Sequence, residues 1–173
     1  MRRIRYSVAM SLDGFIATED GGYDWIPVDD GIDFGRFLSK IDTLLMGRRT
    51  YETTTASPEG ARLLEERDVV VVSKTLVPAS HPGVTVVSHD IAGEIRRLKE
   101  RPGKDIWLFG GGVLFRALLE AGLVDRVEVG VIPALLGAGI PLLPGSENPA
   151  PLRLHSSETF DSGIVLLKYD VER

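Results

Sequence analysis

The sequence predicts an α/β fold: a mainly parallel central sheet with helices between its strands, closed by an antiparallel C-terminal hairpin. Three observations carry this. Short runs rich in Val, Ile and Leu, suited to strands covered on both faces, recur through most of the chain. Between several of them the apolar residues repeat at helical spacing with short joints, and that alternation builds parallel sheets through right-handed crossovers. After Pro151 the pattern changes to two strand-like runs joined by Asp161-Ser162-Gly163, a hairpin signal.

The elements follow in order. Ile4 to Ser11 is a buried strand ended by the turn at Asp13-Gly14. From Asp33 to Ile41 the residues Phe34, Phe37, Leu38 and Ile41 fall at i, i+3, i+4 and i+7, one face of a helix. Thr43 to Met46 is a short strand ending in Gly47, Asp68 to Val72 is an almost wholly apolar one, and Val84 to Val87 repeats it. Asp90 to Arg101 is a helix with Ile91, Ile95 and Leu98 inward and Glu94, Arg96, Arg97, Lys99 and Glu100 outward, stopped by Pro102-Gly103. Ile106 to Phe109 is a strand, and after three glycines Val113 to Ala121 forms a helix closed by Gly122. Arg126 to Ile132 is the next strand, Pro133 to Pro151 a long crossing loop, and Leu152 to Phe160 with Ile164 to Val171 the terminal hairpin.

Composition narrows the function classes. The 173 residues, 43% hydrophobic and 26% charged, fit a single domain over 1–173 with a core large enough to need no covalent staple. With no cysteine, disulfides, thiolate metal sites and cysteine nucleophiles are excluded, which fits a cytoplasmic protein. A net charge of −5 argues against a nucleic-acid surface. No membrane segment is expected, because the uncharged stretch Val129 to Ser146 contains Pro133, Pro141 and Pro144, each costing a helix roughly 3 kcal/mol. His81, His89 and His155 lack metal-ligand spacing, so no metal is expected.

Three strand ends carry chemistry. In Leu108-Phe109-Gly110-Gly111-Gly112-Val113-Leu114 a strand runs through glycines into a helix start, where unpaired N–H groups and the helix dipole favour a phosphate. A tight turn between packed elements explains the same glycines. Met46-Gly47-Arg48-Arg49-Thr50-Tyr51 ends a strand in two arginines and a hydroxyl, a set suited to a 2′-phosphate, and Val72-Ser73-Lys74 repeats the theme. Singly, Arg48, Arg49 and Lys74 read as solvated charges; three such strand ends together point to a phosphorylated dinucleotide.

These motifs, with Ala9-Met10-Ser11-Leu12-Asp13-Gly14-Phe15-Ile16-Ala17 and Val131-Ile132-Pro133-Ala134-Leu135-Leu136-Gly137, resemble the dihydrofolate reductase superfamily. The chain is most similar within it to the reductase domain of the bifunctional riboflavin-biosynthesis deaminase-reductase and its stand-alone relatives. The resemblance implies a three-layer fold of that type and NADPH as cofactor. It puts Ala9, Ile16 and Ala17 beside the nicotinamide, and Gly47, Arg48, Arg49 and Thr50 at the adenosine-side phosphates. Ser73 and Lys74 would meet the 2′-phosphate, and Gly110, Gly111, Gly112, Val113 and Leu114 the pyrophosphate, with a cis peptide at Gly110-Gly111.

In folate-reducing members a carboxylate after a Trp binds the pterin, and Trp25-Ile26-Pro27-Val28-Asp29-Asp30 offers Asp29 and Asp30 as the catalytic candidates. Capping of the next helix explains either aspartate equally. Trp25, Phe34 and Tyr51 are candidates to wall an aromatic substrate, with core packing as the alternative, and Asp13 reads as a turn former. The expected activity is NADPH-dependent reduction of a pyrimidine- or pteridine-like compound, with 5-amino-6-(5-phosphoribosylamino)uracil as leading substrate. Dihydrofolate-type reduction and an NADPH-binding module without turnover are the alternatives. A homodimer is expected, because the stand-alone relatives resemble dimers and Val129 to Leu143 is unusually apolar.

Overall fold

The computed structural model describes residues 1–146 and 148–172. In chain order the strands and helices are β1 (Ile4–Ser11), β2 (Phe15–Ala17), α1 (Phe34–Leu38), β3 (Ile41–Gly47), α2 (Arg48–Thr55), α3 (Pro58–Glu65), β4 (Asp68–Val72), β5 (Val84–Val87), α4 (Ile91–Glu100), β6 (Asp105–Gly110), α5 (Gly112–Glu120), β7 (Arg126–Ile132), β8 (Ile140–Pro141), β9 (Leu152–Thr159) and β10 (Val165–Val171). Eight strands form one sheet in the order β5-β4-β3-β6-β1-β7-β10-β9. The first six run parallel, and β10 and β9 close the sheet antiparallel. The predicted fold class is the one observed.

Two apolar layers sandwich the sheet. On one face Ile4, Tyr6, Leu45, Ile106 and Leu108 meet Ile95 and Leu98 of α4 and Leu114, Phe115 and Leu118 of α5. On the other, Ile41, Leu44, Met46, Val69, Val71 and Trp107 meet Tyr51 of α2 and Leu64 of α3, with Phe37 and Leu38 of α1 alongside. Each such side chain is worth roughly 1.5–3 kcal/mol when fully buried, so these interfaces fix which face each helix takes.

The departures from expectation have local causes. Ile41 is the first residue of β3 and not the end of a helical stripe, because α1 stops at Leu38. Asp33 is the residue that caps α1, accepting a bond from the Arg36 amide at 2.8 Å, so neither Asp29 nor Asp30 serves as the cap. Lys99 turns inward: its Nζ reaches the Leu123 carbonyl at 3.0 Å and Asp125 at 2.5 Å, satisfying a buried ammonium. The Pro133 to Pro151 loop is not wholly irregular, since β8 pairs with β2. Within the apolar Val129–Leu143 stretch, Val129 and Ile132 are buried, and Leu142 and Leu143 pack on the core, so these residues serve the fold itself. The Gly110-Gly111 peptide is cis.

Asp13 holds the β1–β2 turn to the loop after β7. Its carboxylate accepts from Ser11 Oγ at 2.6 Å and from the Leu136 and Gly137 amides, the latter at 2.7 Å. These bonds, that from Ser11 foremost, lower its pKa to about 2. A group depressed in the folded state stabilises fully above its unfolded value and loses that contribution as pH falls through the folded one. Asp13→Ala is therefore expected to shrink the difference in thermal midpoint between about pH 5 and about pH 2. An unchanged difference in paired melting curves would show that Asp13 does not pin this loop.

Candidate functional site

Parallel strands bring their C-terminal ends to one edge of the sheet. There Gly47 is paired with Val72, Met46 with Gly110, and Ser11 with Ile132. From adjacent strands β3 and β6 the chain leaves in opposite directions: α2 packs with the Trp107 layer and α5 with the Tyr6 layer. Such a divergence opens a crevice beyond the strand ends, the usual place for ligands in open α/β sheets.

Both helices starting at this crevice lack side-chain caps. Gly47 precedes α2 and Gly111 precedes α5, and neither position offers a side-chain acceptor. The leading amides of Arg48, Arg49 and Thr50, and of Gly112, Val113 and Leu114, therefore remain without intrahelical acceptors, each set at the positive end of a helix dipole. A Cβ built on Gly47 meets no atom within 4 Å, so the backbone there is open to close approach. Thr50 bridges the two starts, its Oγ1 lying 3.1 Å from a Cβ built on Gly110 and 3.6 Å from one built on Gly111. Gly112 is enclosed, a Cβ there falling 2.9 Å from Pro144 Cδ, and the Leu114 side chain is in the core. Those two residues could offer a ligand their backbone alone.

Beyond Gly47, Ser73 follows β4. Its hydroxyl accepts from the Thr75 and Leu76 amides at 3.1 and 3.0 Å, fixing the turn that presents exposed Lys74. Arg48 is half-exposed and paired with Glu52 at 3.1 Å. These groups fit the pyrophosphate and 2′-phosphate of a dinucleotide: two open helix starts, an unobstructed glycine and cations at adjacent strand ends.

Beside the crevice lies a cleft of about 970 Å³, on the α1–α3 side of the sheet. Its apolar wall is Phe34, Leu38, Trp107 and Phe109, the last two being i and i+2 on β6 and so on one face. The rings interlock edge to face, Trp107 lying 5.7 Å from Phe34 and 4.6 Å from Phe109. Ala17, Thr50 and Arg49 also line it. Ala9 and Ile16 stand on β1 and β2, half-buried, and are not among the residues lining the cleft.

Other sequence candidates lie elsewhere. Tyr51 is 8% exposed, inside the core with its hydroxyl 3.2 Å from His81 Nδ1, and does not wall the cleft. Trp25 donates to the Gly22 carbonyl at 3.3 Å and is not part of the lining either. Asp29 closes a local turn by accepting from Gly31 at 2.8 Å, and contact with Ser162, then that amide, holds its carboxyl below the ordinary range. Asp30 is exposed. Neither aspartate lines the cleft. Sequence reasoning missed Glu19, Asp20, Tyr23, Ser57, Glu59, Arg62 and Glu66, which do. One signal was present: Ser57-Pro58-Glu59, a capping residue, a proline and a first-turn acid, announces the helix α3 that with its two caps brings four of them.

Among the described residues no helix is long and apolar enough to cross a membrane, and no group of three His, Asp or Glu is placed to hold a metal ion.

Comparison with known proteins agrees with this architecture. The profile of the RibD C-terminal domain matches residues 2–166. The uncharacterized protein YyaP of Bacillus subtilis (strain 168) is 33% identical over 178 residues, covering 97% of this chain and 94% of that one. A crystal structure from Shewanella sp. PV-4, described as a riboflavin biosynthesis protein, superposes with a TM-score of 0.82 at 26% identity over 100% of both chains. Dihydrofolate reductase from Enterococcus faecalis, solved with NADP(H) and RAB-propyl, shares the fold with a TM-score of 0.68 at 18% identity, covering 99% of this chain and 97% of that one.

Proposed function

The chain belongs to the RibD C-terminal domain family, and from that premise we propose that it is an NADPH-dependent reductase of a flat pyrimidine- or pteridine-like heteroaromatic. The observation that carries this reading is the pair of uncapped helix starts at the β3–β6 divergence, directly beside an aromatic-walled cleft.

When bound, the cofactor would supply a hydride. The first-turn amides of α5 would hold its pyrophosphate, and those of α2, with Arg48, Ser73 and Lys74, its adenosine-side phosphates. Phe34, Trp107 and Phe109 would stack a planar acceptor and keep water from it. Orientation and exclusion of water are most of what such a transfer asks of a protein. Dihydrofolate-type reduction calls for Asp29 or Asp30 to point into the nicotinamide pocket, and neither is among the residues lining the cleft beside the proposed cofactor site.

The test is cofactor preference. Wild type is expected to bind NADPH more tightly than NADH. In an Arg48→Ala/Lys74→Ala variant that preference should fall by about tenfold or more, since two charge-assisted contacts to the 2′-phosphate are lost. Equal affinity of wild type for the two cofactors in titration calorimetry would refute the NADPH assignment.

A further inference from the structure

The segment between β4 and β5 carries Ser73 and Lys74 and lies largely in solvent: from residue 74 to residue 81 only Leu76 and His81 are half-buried, and the rest are exposed. Its own turns give it shape. Ser73 Oγ accepts from the Thr75 and Leu76 amides, a short 3-10 turn spans Pro78–Ser80, and the His81 amide donates to the Pro78 carbonyl at 3.0 Å. Those bonds are internal, so they leave open where the segment stands against the neighbouring helix α2. The two half-buried side chains decide that. Leu76 packs on the apolar cluster that contains Tyr51, and His81 Nδ1 lies 3.2 Å from the Tyr51 hydroxyl.

Tyr51 is a fixed post for that bond. It stands on α2 at i+3 from Arg48, is 8% exposed, and belongs to the layer of Leu44, Met46, Val71 and Trp107. The His81 ring meets it edge to face, with centroids 5.4 Å apart and planes at 81°. Whichever tautomer the imidazole adopts, one of the two groups donates and the other accepts. The pair joins two pieces of chain that the reductase reading sets on one cofactor: the α2 start with Arg48, and the turn that presents Lys74. A residue buried against the sheet thus governs the spacing of two surface cations.

We infer that Tyr51 is a positioning residue for cofactor selectivity: through His81 it holds the Ser73–Lys74 turn in register with the α2 start, so that Arg48 and Lys74 reach one 2′-phosphate. The inference rests on the reductase reading above for the identity of the cofactor. It goes beyond that reading by giving a role to two residues that touch no ligand. A cofactor without the 2′-phosphate leaves Lys74 nothing to hold, so its affinity does not depend on where the turn stands.

The test compares wild type with Tyr51→Phe, His81→Ala and His81→Asn, reading dissociation constants of NADPH and NADH by titration calorimetry. Tyr51→Phe keeps the ring and loses the hydroxyl. His81→Ala changes a half-exposed site and spares the core, so the test stands even if the first variant folds poorly. In both, NADPH is expected to bind about fivefold more weakly, the loss one neutral hydrogen bond accounts for, and NADH to change by less than about twofold. His81→Asn offers an amide where the ring offered Nδ1 and should keep the wild-type ratio of the two constants. Combining Tyr51→Phe with His81→Ala should cost no more than either alone, since both remove the same bond. A merely structural role would weaken both cofactors alike, and that result overturns the inference. So does a ratio unmoved in the single variants, or His81→Asn behaving as His81→Ala. Wild type without a preference for NADPH strikes the reductase reading and the inference together, whereas a wild-type preference that the variants retain strikes the inference alone.

Discussion

Gly47→Asp is expected to weaken NADPH binding by about 100-fold while leaving the melting temperature unchanged or slightly higher. The two effects separate because of where Gly47 sits. It is the N-cap of α2 with φ −82° and ψ 165°, extended backbone that aspartate adopts freely, and a Cβ there meets nothing within 4 Å. Aspartate is a better N-cap than glycine by about a few tenths of a kcal/mol, so the fold does not suffer. The same carboxylate would bond the α2 amides proposed for the cofactor's phosphates and set a negative charge against them. A loss of about 100-fold corresponds to roughly 2.7 kcal/mol, within reach of a lost charge-assisted bond plus repulsion. Unchanged affinity in this variant would remove the α2 start from the cofactor site, whatever the melting curve shows.

The largest effect on stability is expected at Glu128. It is 1% exposed on β7 and takes a forked contact from Arg5 of the neighbouring β1, with Nη2 at 2.8 and 2.9 Å from its two oxygens and Nε at 3.0 Å from Oε1. Arg5 is itself buried, its guanidinium 4.8 Å above the Phe37 ring and 3.4 Å from Asp105. Removing one member of such a pair leaves a desolvated charge behind, which costs about 3–5 kcal/mol. Glu128→Ala should therefore lose most of that amount in urea denaturation. The double variant Arg5→Met/Glu128→Leu, which removes both charges and keeps volume, should return to within about 2 kcal/mol of wild type. A single variant losing less than about 1 kcal/mol would show that water reaches Arg5 and that the pair is not desolvated.

The strands were legible because a strand covered on both faces has no polar side to show. Asp68–Val72 and Ile106–Phe109 read as strands from their apolar runs alone, and turn residues such as Asp13-Gly14 marked where a strand stops. The helix α2 was not legible in the same way. Arg-Arg-Thr-Tyr-Glu-Thr-Thr-Thr has no apolar stripe and is rich in threonine, and it is held as a helix by burial of Tyr51 and Thr54 against the sheet. With α2 and α3 unread, the cleft they wall could not be drawn. Tyr51 was offered to the substrate because its number lies beside Arg49 and Thr50, yet one residue on a helix turns a side chain by about 100°, here from cleft to core.

By itself the sequence determined the α/β class, the order of the strands along the chain and the glycine- and arginine-bearing strand ends. Those are local properties, set by periodicity and by backbone groups that need glycine or a cap. Tertiary structure alone decided that β3 and β6 lie side by side, that α2 and α5 depart to opposite faces, and that Glu19, Asp20, Glu59 and Glu66 gather around one cleft. Strand order and side-chain direction are fixed by which apolar faces bury against each other, and residues as distant in the chain as Glu19 and Glu66 become neighbours only when that burial is complete.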